Sequence, residues 1–423
     1  MARGGGVLGL DIGSNSIAAA ELRGGAGGIE LASRPFVVPT PPDSVQNGVI
    51  VEPDVVAATL KEALREHGIR TKTTISSVGG QSSLVVRITE VPKMSPAELK
   101  EAMQWDVERH IPFPADSIIV DYQPIERPDA DPNATNMEVL LVVAQEDMIN
   151  AHVDTLHAAG LAPTSIDVEP LAAARALVNI AGEQLAPQSV CVINVGAAAT
   201  EITIVRQLIL SFVRPIPIAG DSVTRAIGQS FIVENDEAER LKRTLADVGA
   251  GNGGAAPEPA APAAAPGWGA PLPTEVPDLT GDRTTHLEID QAQPLAGAGP
   301  PVPPKAEIVA MPAVPAQDQT RRQIRDVIMP VFAELITEVR RSLDFYRRQH
   351  RNEAIDRIYL IGGTASLPNV ARLIQSETGI ATEIGNPYLH IHCDPAIATP
   401  EYLRDIAPVT TIAVGLAMRN WVE

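Results

Sequence analysis

Asp11 stands two residues before Gly13 at the end of an apolar run, in Val7-Leu8-Gly9-Leu10-Asp11-Ile12-Gly13-Ser14-Asn15-Ser16. A carboxylate there is an oxygen donor suited to a hard cation. The small residues after it leave backbone N–H groups uncovered, so a phosphate can come close. The pattern recurs almost halfway along the chain, in Val192-Ile193-Asn194-Val195-Gly196-Ala197-Ala198-Ala199-Thr200. Asn194 now stands where Asp11 stood. Each turn re-enters an apolar stretch, Ile17-Ala18-Ala19-Ala20 and Ile202-Thr203-Ile204-Val205, which is the pattern of a β-hairpin. A third small-residue turn, Gly362-Gly363-Thr364-Ala365-Ser366, follows the strand-like run Arg357–Ile361. Asp-x-Gly alone is ordinary turn chemistry. Three such connections at strand ends are the ingredients of a nucleotide cleft between two halves.

The elements that must position these turns alternate between strands and helices. Helical spacing covers residues 55–67, and strand patterns follow at 74–78 and 84–89. Ser95, Pro96 and Glu98 mark a helix start with a capping box, and the helix runs to about His110. Strands are expected at 118–123 and 138–144, and a helix at about 147–159. In the second half, 221–231 and 236–245 read as helices. A long helix is expected from Thr320 to about His350, bent or joined at Pro330, and a small-residue helix at 408–419. Between them, residues 251–320 hold 14 of the chain's 37 prolines. That composition buries too little surface to offset its ordering entropy, so about 247–316 is expected to be a disordered insertion.

With 33 basic and 52 acidic residues among 423, the net charge is −19. That balance argues against general nucleic-acid binding and against unassisted docking on anionic lipid. Two cysteines make no disulfide framework and suit a reducing compartment. No run approaches the roughly 18 apolar residues of a membrane span, and no signal segment with a cleavage site opens the chain. A cytoplasmic protein is expected, with any membrane association made through a partner.

Together with Ala238-Glu239-Arg240-Leu241-Lys242, the three turns resemble the actin-like ATPase superfamily over nearly the whole chain. The resemblance implies an α/β fold of two duplicated ribonuclease-H-like domains around a nucleotide cleft. It implies ATP and Mg²⁺ as cofactors, with Asp11 aimed at the metal through water. The implied nucleotide contacts are Asp11, Gly13, Ser14, Asn15 and Ser16 from the first hairpin, and Asn194, Gly196, Ala197, Ala198 and Thr200 from the second. Gly220, Glu239, Lys242, Gly362, Gly363 and Ser366 complete the implied set. Read from the residues alone, Glu239 and Lys242 would be a solvated helix face.

A narrower resemblance lies at 91–123: Val91-Pro92-Lys93-Met94-Ser95, Trp105-Asp106-Val107-Glu108, Ile111-Pro112-Phe113-Pro114 and Asp121-Tyr122-Gln123. Asn47-Gly48-Val49-Ile50 and Ser342-Leu343-Asp344-Phe345-Tyr346 fit the same pattern. This part is similar to the PilM family, the cytoplasmic actin-like component of type IV pilus machines. The resemblance implies domain I at 1–190, made of about 1–74 and 161–190 with a small subdomain, 1C, at about 75–160. Domain II would be 191–423, carrying the insertion, with the C-terminal helix returning to domain I. It implies a protein peripheral to the inner membrane that captures the cytoplasmic tail of a PilN-type membrane protein beside 1C. Other pilus platform or motor components would be further partners, self-association remains open, and twitching motility and natural transformation would be the processes served.

The chain departs from the superfamily at Asn194, where an acid that helps organise Mg²⁺ is usual. A neutral amide brings no charge to a hard cation, so nucleotide binding with slow or absent turnover is expected. Glu169 is a candidate second acid, against its reading as a surface or helix-start carboxylate. Trp105 lies off the Leu99/Met103/Val107 stripe and is a candidate partner contact, against packing on a neighbouring subdomain. His390, His392, Cys393 and Asp394 form a cluster without a second pair at zinc-site spacing, so no metal site is expected there. Cys191 reads as core. Two rivals remain. An FtsA-like filament-forming division scaffold would want a basic amphipathic tail, which the ending Trp421-Val422-Glu423 does not offer. A sugar kinase would want a catalytic carboxylate beside a sugar pocket.

Overall fold

The computed structural model describes residues 5–25, 27–80, 83–110, 113–114, 117–131, 133–249, 316–350 and 353–422, with the side chains of 104–110 and 316–317 outside the description. The expected insertion at 247–316 therefore falls almost wholly outside the described residues, as do Ile111 and Pro112.

The first half opens with β1 (Val7–Ile12), β2 (Ser16–Gly25), β3 (Gly28–Leu31), β4 (Phe36–Pro39), β5 (Val45–Gln46) and β6 (Val49–Ile50). Helix α1 (Pro53–Glu66), β7 (Thr73–Val78), β8 (Leu84–Pro92), α2 (Pro96–His110), β9 (Ile118–Ile125) and β10 (Asn136–Gln145) follow. Then come α3 (Glu146–Ala158), β11 (Ala162–Val168) and α4 (Glu169–Leu177). The second half holds β12 (Ser189–Val195), β13 (Thr200–Arg206), β14 (Ile209–Ile216), α5 (Gly220–Phe231), α6 (Asn235–Leu245) and α7 (Ala316–Gln349). It ends with β15 (Arg357–Ile361), α8 (Val370–Thr378), β16 (Ala381–Ile384) and α9 (Pro400–Ala417).

Two sheets repeat one topology. The first runs β11-β7-β1-β2-β3, with β4 also on β2, and the second runs β16-β15-β12-β13-β14. In each, an antiparallel meander leads to a central strand, and two parallel strands extend the sheet on its other side. The central strand of the second sheet is covered on both faces, so its sequence is a nearly continuous apolar run. Val190, Cys191, Val192, Ile193 and Val195 of β12 are all buried. A separate sheet, β8-β10-β9, is inserted between β7 and β11 and packs Val139, Leu141 and Val143 against Leu99 and Met103 of α2. The capping box at the start of α2 is formed, with Ser95 N–H donating to Glu98 Oε2 at 2.8 Å and Glu98 N–H donating back to Ser95 Oγ at 3.4 Å.

Helices α4 and α9 lie between the two main sheets and share one apolar cluster with both. They pack backbone to backbone, because their contact positions are alanine and glycine. A Cβ on Gly415 of α9 would sit 1.9 Å from Ala172 O of α4, and one on Gly9 of β1 would sit 1.8 Å from Ala413 O of α9. Nothing periodic in 161–188 marks an element, yet β11 and α4 form there, since an alanine-rich helix buried on most sides carries no stripe. The last helix starts at Pro400, eight residues before the expected boundary at Pro408. Thr399 caps it by accepting from Tyr402 N–H at 3.3 Å, and Pro400 takes the first helical position. Pro330 likewise lies inside an unbroken α7.

Candidate functional site

Both hairpins close with the same tight turn. Gly13 N–H donates to Ser16 O at 3.0 Å, and Gly196 N–H donates to Ala199 O at 3.1 Å. A Cβ would crowd those acceptors at 3.1 and 3.0 Å, which is why each turn has glycine. Residues 13–16 and 196–199 line opposite walls of one cleft of about 750 Å³. That size suits a small-molecule ligand, for which roughly 300–1,000 Å³ is usual.

The third turn joins them. Gly362 has φ +90°, donates its N–H to Pro408 O at 2.8 Å, and would put a Cβ 2.5 Å from Val195 O. Gly362, Gly363, Thr364 and Ser366 line the same cleft, together with Glu239, Lys242 and Arg243 of α6. The solvated-face reading of α6 is thereby overturned. Lys242 is buried, with its Nζ 2.5 Å from Glu239 Oε2 and bonded to Thr224 Oγ1 at 2.8 Å and Gly220 O at 3.2 Å. Burial opposes ionisation of Glu239. Lys242, Thr224 and Arg243 outweigh it and hold the carboxyl down at about 2. Asn15 Nδ2 reaches across the cleft to Glu239 Oε1 at 3.3 Å, so the first hairpin touches the second half directly.

At the floor stand Asp11, Glu169 and Glu201. Glu169 heads α4 and accepts a hydrogen bond from Asn194 Nδ2 at 2.9 Å. It is therefore a helix-start carboxylate inside the cleft and not a surface one. Burial pushes its carboxyl up to about 7. Asp11 and Glu201 are raised well above the usual carboxylate range, first by burial and then by the charge of Glu169. Glu201 pairs in register with Asn194 across β12 and β13, so both side chains emerge on one face. Among the described residues, no three His, Cys, Asp or Glu side chains stand close enough to hold a metal ion alone. The oxygen donors suit Mg²⁺ in its usual arrangement, with one or two carboxylates completed by water and phosphate.

Thr200 and Gly220 are corrections to the expected contact set. Thr200 is fully buried and donates its hydroxyl to Ile218 O at 2.6 Å. Gly220 lies behind the wall, donating its N–H to Gly196 O at 3.0 Å, and a Cβ there would sit 2.6 Å from Thr364 Oγ1. Trp105 falls on α2, but its side chain lies outside the described residues. His390 ends a 3₁₀ turn, and His392 forms an isolated bridge with Glu30. Cys191 is in the core, and burial pushes its thiol up. Sequence reasoning missed Glu201, Arg225 and the loops at Asn47-Gly48 and Gly79-Gly80, all of which line the cleft. The loops carried a signal: Asn-Gly and Gly-Gly are turn dipeptides. A Cβ on Gly80 would sit 2.5 Å from Asn47 O, and one on Gly79 2.5 Å from Glu169 Oε1.

The family described as type IV pilus assembly protein PilM matches residues 9–247 and 316–421. The chain belongs to the PilM family. Among solved structures it is similar to a chain of the PilM-PilN type IV pilus biogenesis complex, at 25% identity and a TM-score of 0.73, covering 98% of both chains. The ethanolamine utilization protein EutJ from Carboxydothermus hydrogenoformans shares the fold at 13% identity and a TM-score of 0.50, over 98% of this chain and 90% of that one. The cell division protein FtsA of Streptococcus pneumoniae serotype 2 (strain D39) is 22% identical over 98% of this chain and 84% of its own length. The fold is that of the actin-like ATPases, with two duplicated halves about a cleft.

Proposed function

We propose that this PilM-family protein is an ATP-binding adaptor of the type IV pilus assembly platform, and that it holds the cytoplasmic tail of a PilN-type inner-membrane protein. The observation that carries the nucleotide part is the convergence of three glycine-built turns, α6 and three carboxylates on one cleft. The turn N–H groups of 14–16 and 197–199 would take phosphate oxygens, and Glu239 with Lys242 would take the ribose and base. Asp11 would hold Mg²⁺ through water, and the ion would supply charge neutralisation to the phosphates. Glu169, which accepts from Asn194, would orient a water beside the terminal phosphate. With a neutral amide at 194, slow turnover follows, and ATP serves to hold the halves together more than to be consumed.

The partner part is supported by the likeness to the PilM-PilN complex. Among the described residues, no helix is long and apolar enough to cross a membrane, which suits attachment through another protein. Edge strand β9 of the three-stranded sheet leaves Ile119 and Val120 exposed, a surface an extended tail can use. The likeness to FtsA favours one second reading, a filament-forming membrane scaffold. Calorimetric titration with a synthetic PilN-type tail, with and without MgATP, separates the two. Saturable binding supports the adaptor. No binding in either state, with ATP-dependent sedimentation of the protein, supports the scaffold.

A further inference from the structure

We propose that the three-stranded sheet is a second bridge between the two halves, and that a clasp at Arg127 ties its position to the closure of the cleft. The inference rests on reading the cleft as a nucleotide site, and it concerns how that site is regulated.

The sheet touches the cleft at its near end. Strand β8 begins just after the Gly79-Gly80 loop, which lies against Glu169 and Asn47. Leu84 and Val86 of β8 line the cleft opposite Val213 and Pro215 of β14. Both β8 and β14 are edge strands of their own sheets. Apolar contacts of this kind are non-directional and tolerate sliding.

The far end is different. Arg127 lies in the β9–β10 connection, with its side chain only 9% exposed. Its Nε donates to Glu138 of β10, within the same sheet. Its Nη1 donates to Ser211 Oγ at 2.9 Å and its Nη2 to Leu210 O at 3.3 Å, both on β14 of the second half. One buried guanidinium thus holds two sheets by its two sides. Beside it, Asp129 pairs with Arg206 of β13, which in turn holds Glu353 at 2.7 Å. Asp129 is 42% exposed, so that pair contributes less. Hydrogen bonds of this geometry weaken steeply with displacement. When the halves move, the sheet must follow β14 or the clasp must break.

The connection to the ligand is short. Strand β14 is hydrogen-bonded along β13, and β13 starts at the second phosphate turn. A nucleotide that draws residues 196–199 inward moves β13 and β14 with them, and the clasp moves the sheet. By reciprocity, anything that fixes the sheet changes nucleotide affinity by the same factor.

The test is hydrogen exchange of the full chain with and without the magnesium salt of a non-hydrolysable ATP analogue. The variant is Arg127→Gln with Asp129→Asn, which removes the guanidinium's bonds to Ser211 and Leu210 and the charge that pairs with Arg206. In the unaltered protein, the analogue should slow exchange in 11–16 and 196–199. It should also slow exchange in 118–125 and 136–145 by about fivefold or more, the lower end of ordinary coupling between sites. The double variant should keep the protection of the turns and lose that of the sheet. Turns protected with the sheet unchanged in the unaltered protein would overturn the coupling and leave the nucleotide site standing. Equal spread of protection in the variant would overturn the clasp. Unprotected turns would overturn the nucleotide reading, and this proposal with it. Should the double variant fail to fold, Arg127→Gln alone decides by the same comparison.

Discussion

The two hairpins of this molecule share a backbone and differ in charge. In both, a glycine N–H closes the turn onto a carbonyl three residues on, at 3.0 and 3.1 Å. The first presents Asp11 to the cleft. The second presents Asn194, whose amide donates to Glu169, while the acid of that half stands across the strand pair as Glu201. The duplicated fold thus repeats the turn geometry and redistributes the carboxylates. Backbone N–H placement is fixed by the turn, whereas a negative charge can be supplied from a neighbouring strand or helix start.

The largest effect is expected from making the first strand resemble the second. Val192 stands two residues before Asn194 and is buried, while Gly9 stands two before Asp11 with α9 directly over it. Gly9→Val would drive side-chain atoms into the Ala413 carbonyl and the Ala417 amide. Overpacking ordinarily costs about 1–3 kcal/mol, and a clash with backbone exceeds that range. Thermal or urea unfolding should show a strongly destabilised or unfolded chain. A Gly9→Val protein as stable as the original would refute the backbone seam between β1 and α9.

Next is Asp11→Asn, which gives both hairpins an amide. Affinity for MgATP should fall by about tenfold to a hundredfold, while affinity for ATP in the presence of a chelator changes little, since roughly 1.4 kcal/mol corresponds to each factor of ten. Equilibrium binding of a fluorescent ATP analogue at two magnesium concentrations reads both.

The difference between the hairpins also predicts a pH dependence. Glu169 keeps its proton up to about pH 7 in the folded protein, against about 4.5 for its ordinary value. The folded state binds more protons than the unfolded state over that window, so stability of the ligand-free protein falls as pH rises from 4.5 towards 7. Urea midpoints at pH 5 and 7.5 without Mg²⁺ should show the fall, and Glu169→Gln should lessen it, leaving the share of Asp11 and Glu201, whose carboxyls burial also raises. Asn194→Asp should steepen it, because a donor to Glu169 becomes a second acid.

The smallest effect is expected at Thr200. Thr200→Val removes one buried bond to Ile218 O and should cost about 1 kcal/mol in stability, with nucleotide affinity unchanged. A loss of affinity would return Thr200 to the site.

Much of this arrangement was legible in the residues. Glycines that must approach a backbone, and apolar runs on either side, announced all three turns and the duplicated fold. The errors have physical sources. Thr200 and Glu201 are neighbours on one strand, and alternation sends neighbours to opposite faces, so Thr200 turns into the core and Glu201 into the cleft. Glu169 looked peripheral because α4, rich in alanine, has no apolar stripe to show that its first residue faces inward. Pro408 looked like a helix start, whereas α9 is capped at Thr399 and carries the proline within it. The Lys242–Glu239 pair looked like a solvated i,i+3 pair, and only the tertiary contacts with Thr224 and Gly220 show it buried.

The most direct test of the central claim is calorimetric titration of the full chain with ATP in the presence and absence of Mg²⁺. The two hairpins are expected to close on one nucleotide, giving a single saturable site whose affinity rises with Mg²⁺ and loses that rise in Asp11→Asn. No binding in either condition, or Mg²⁺-independent binding that ignores Asp11, would contradict it.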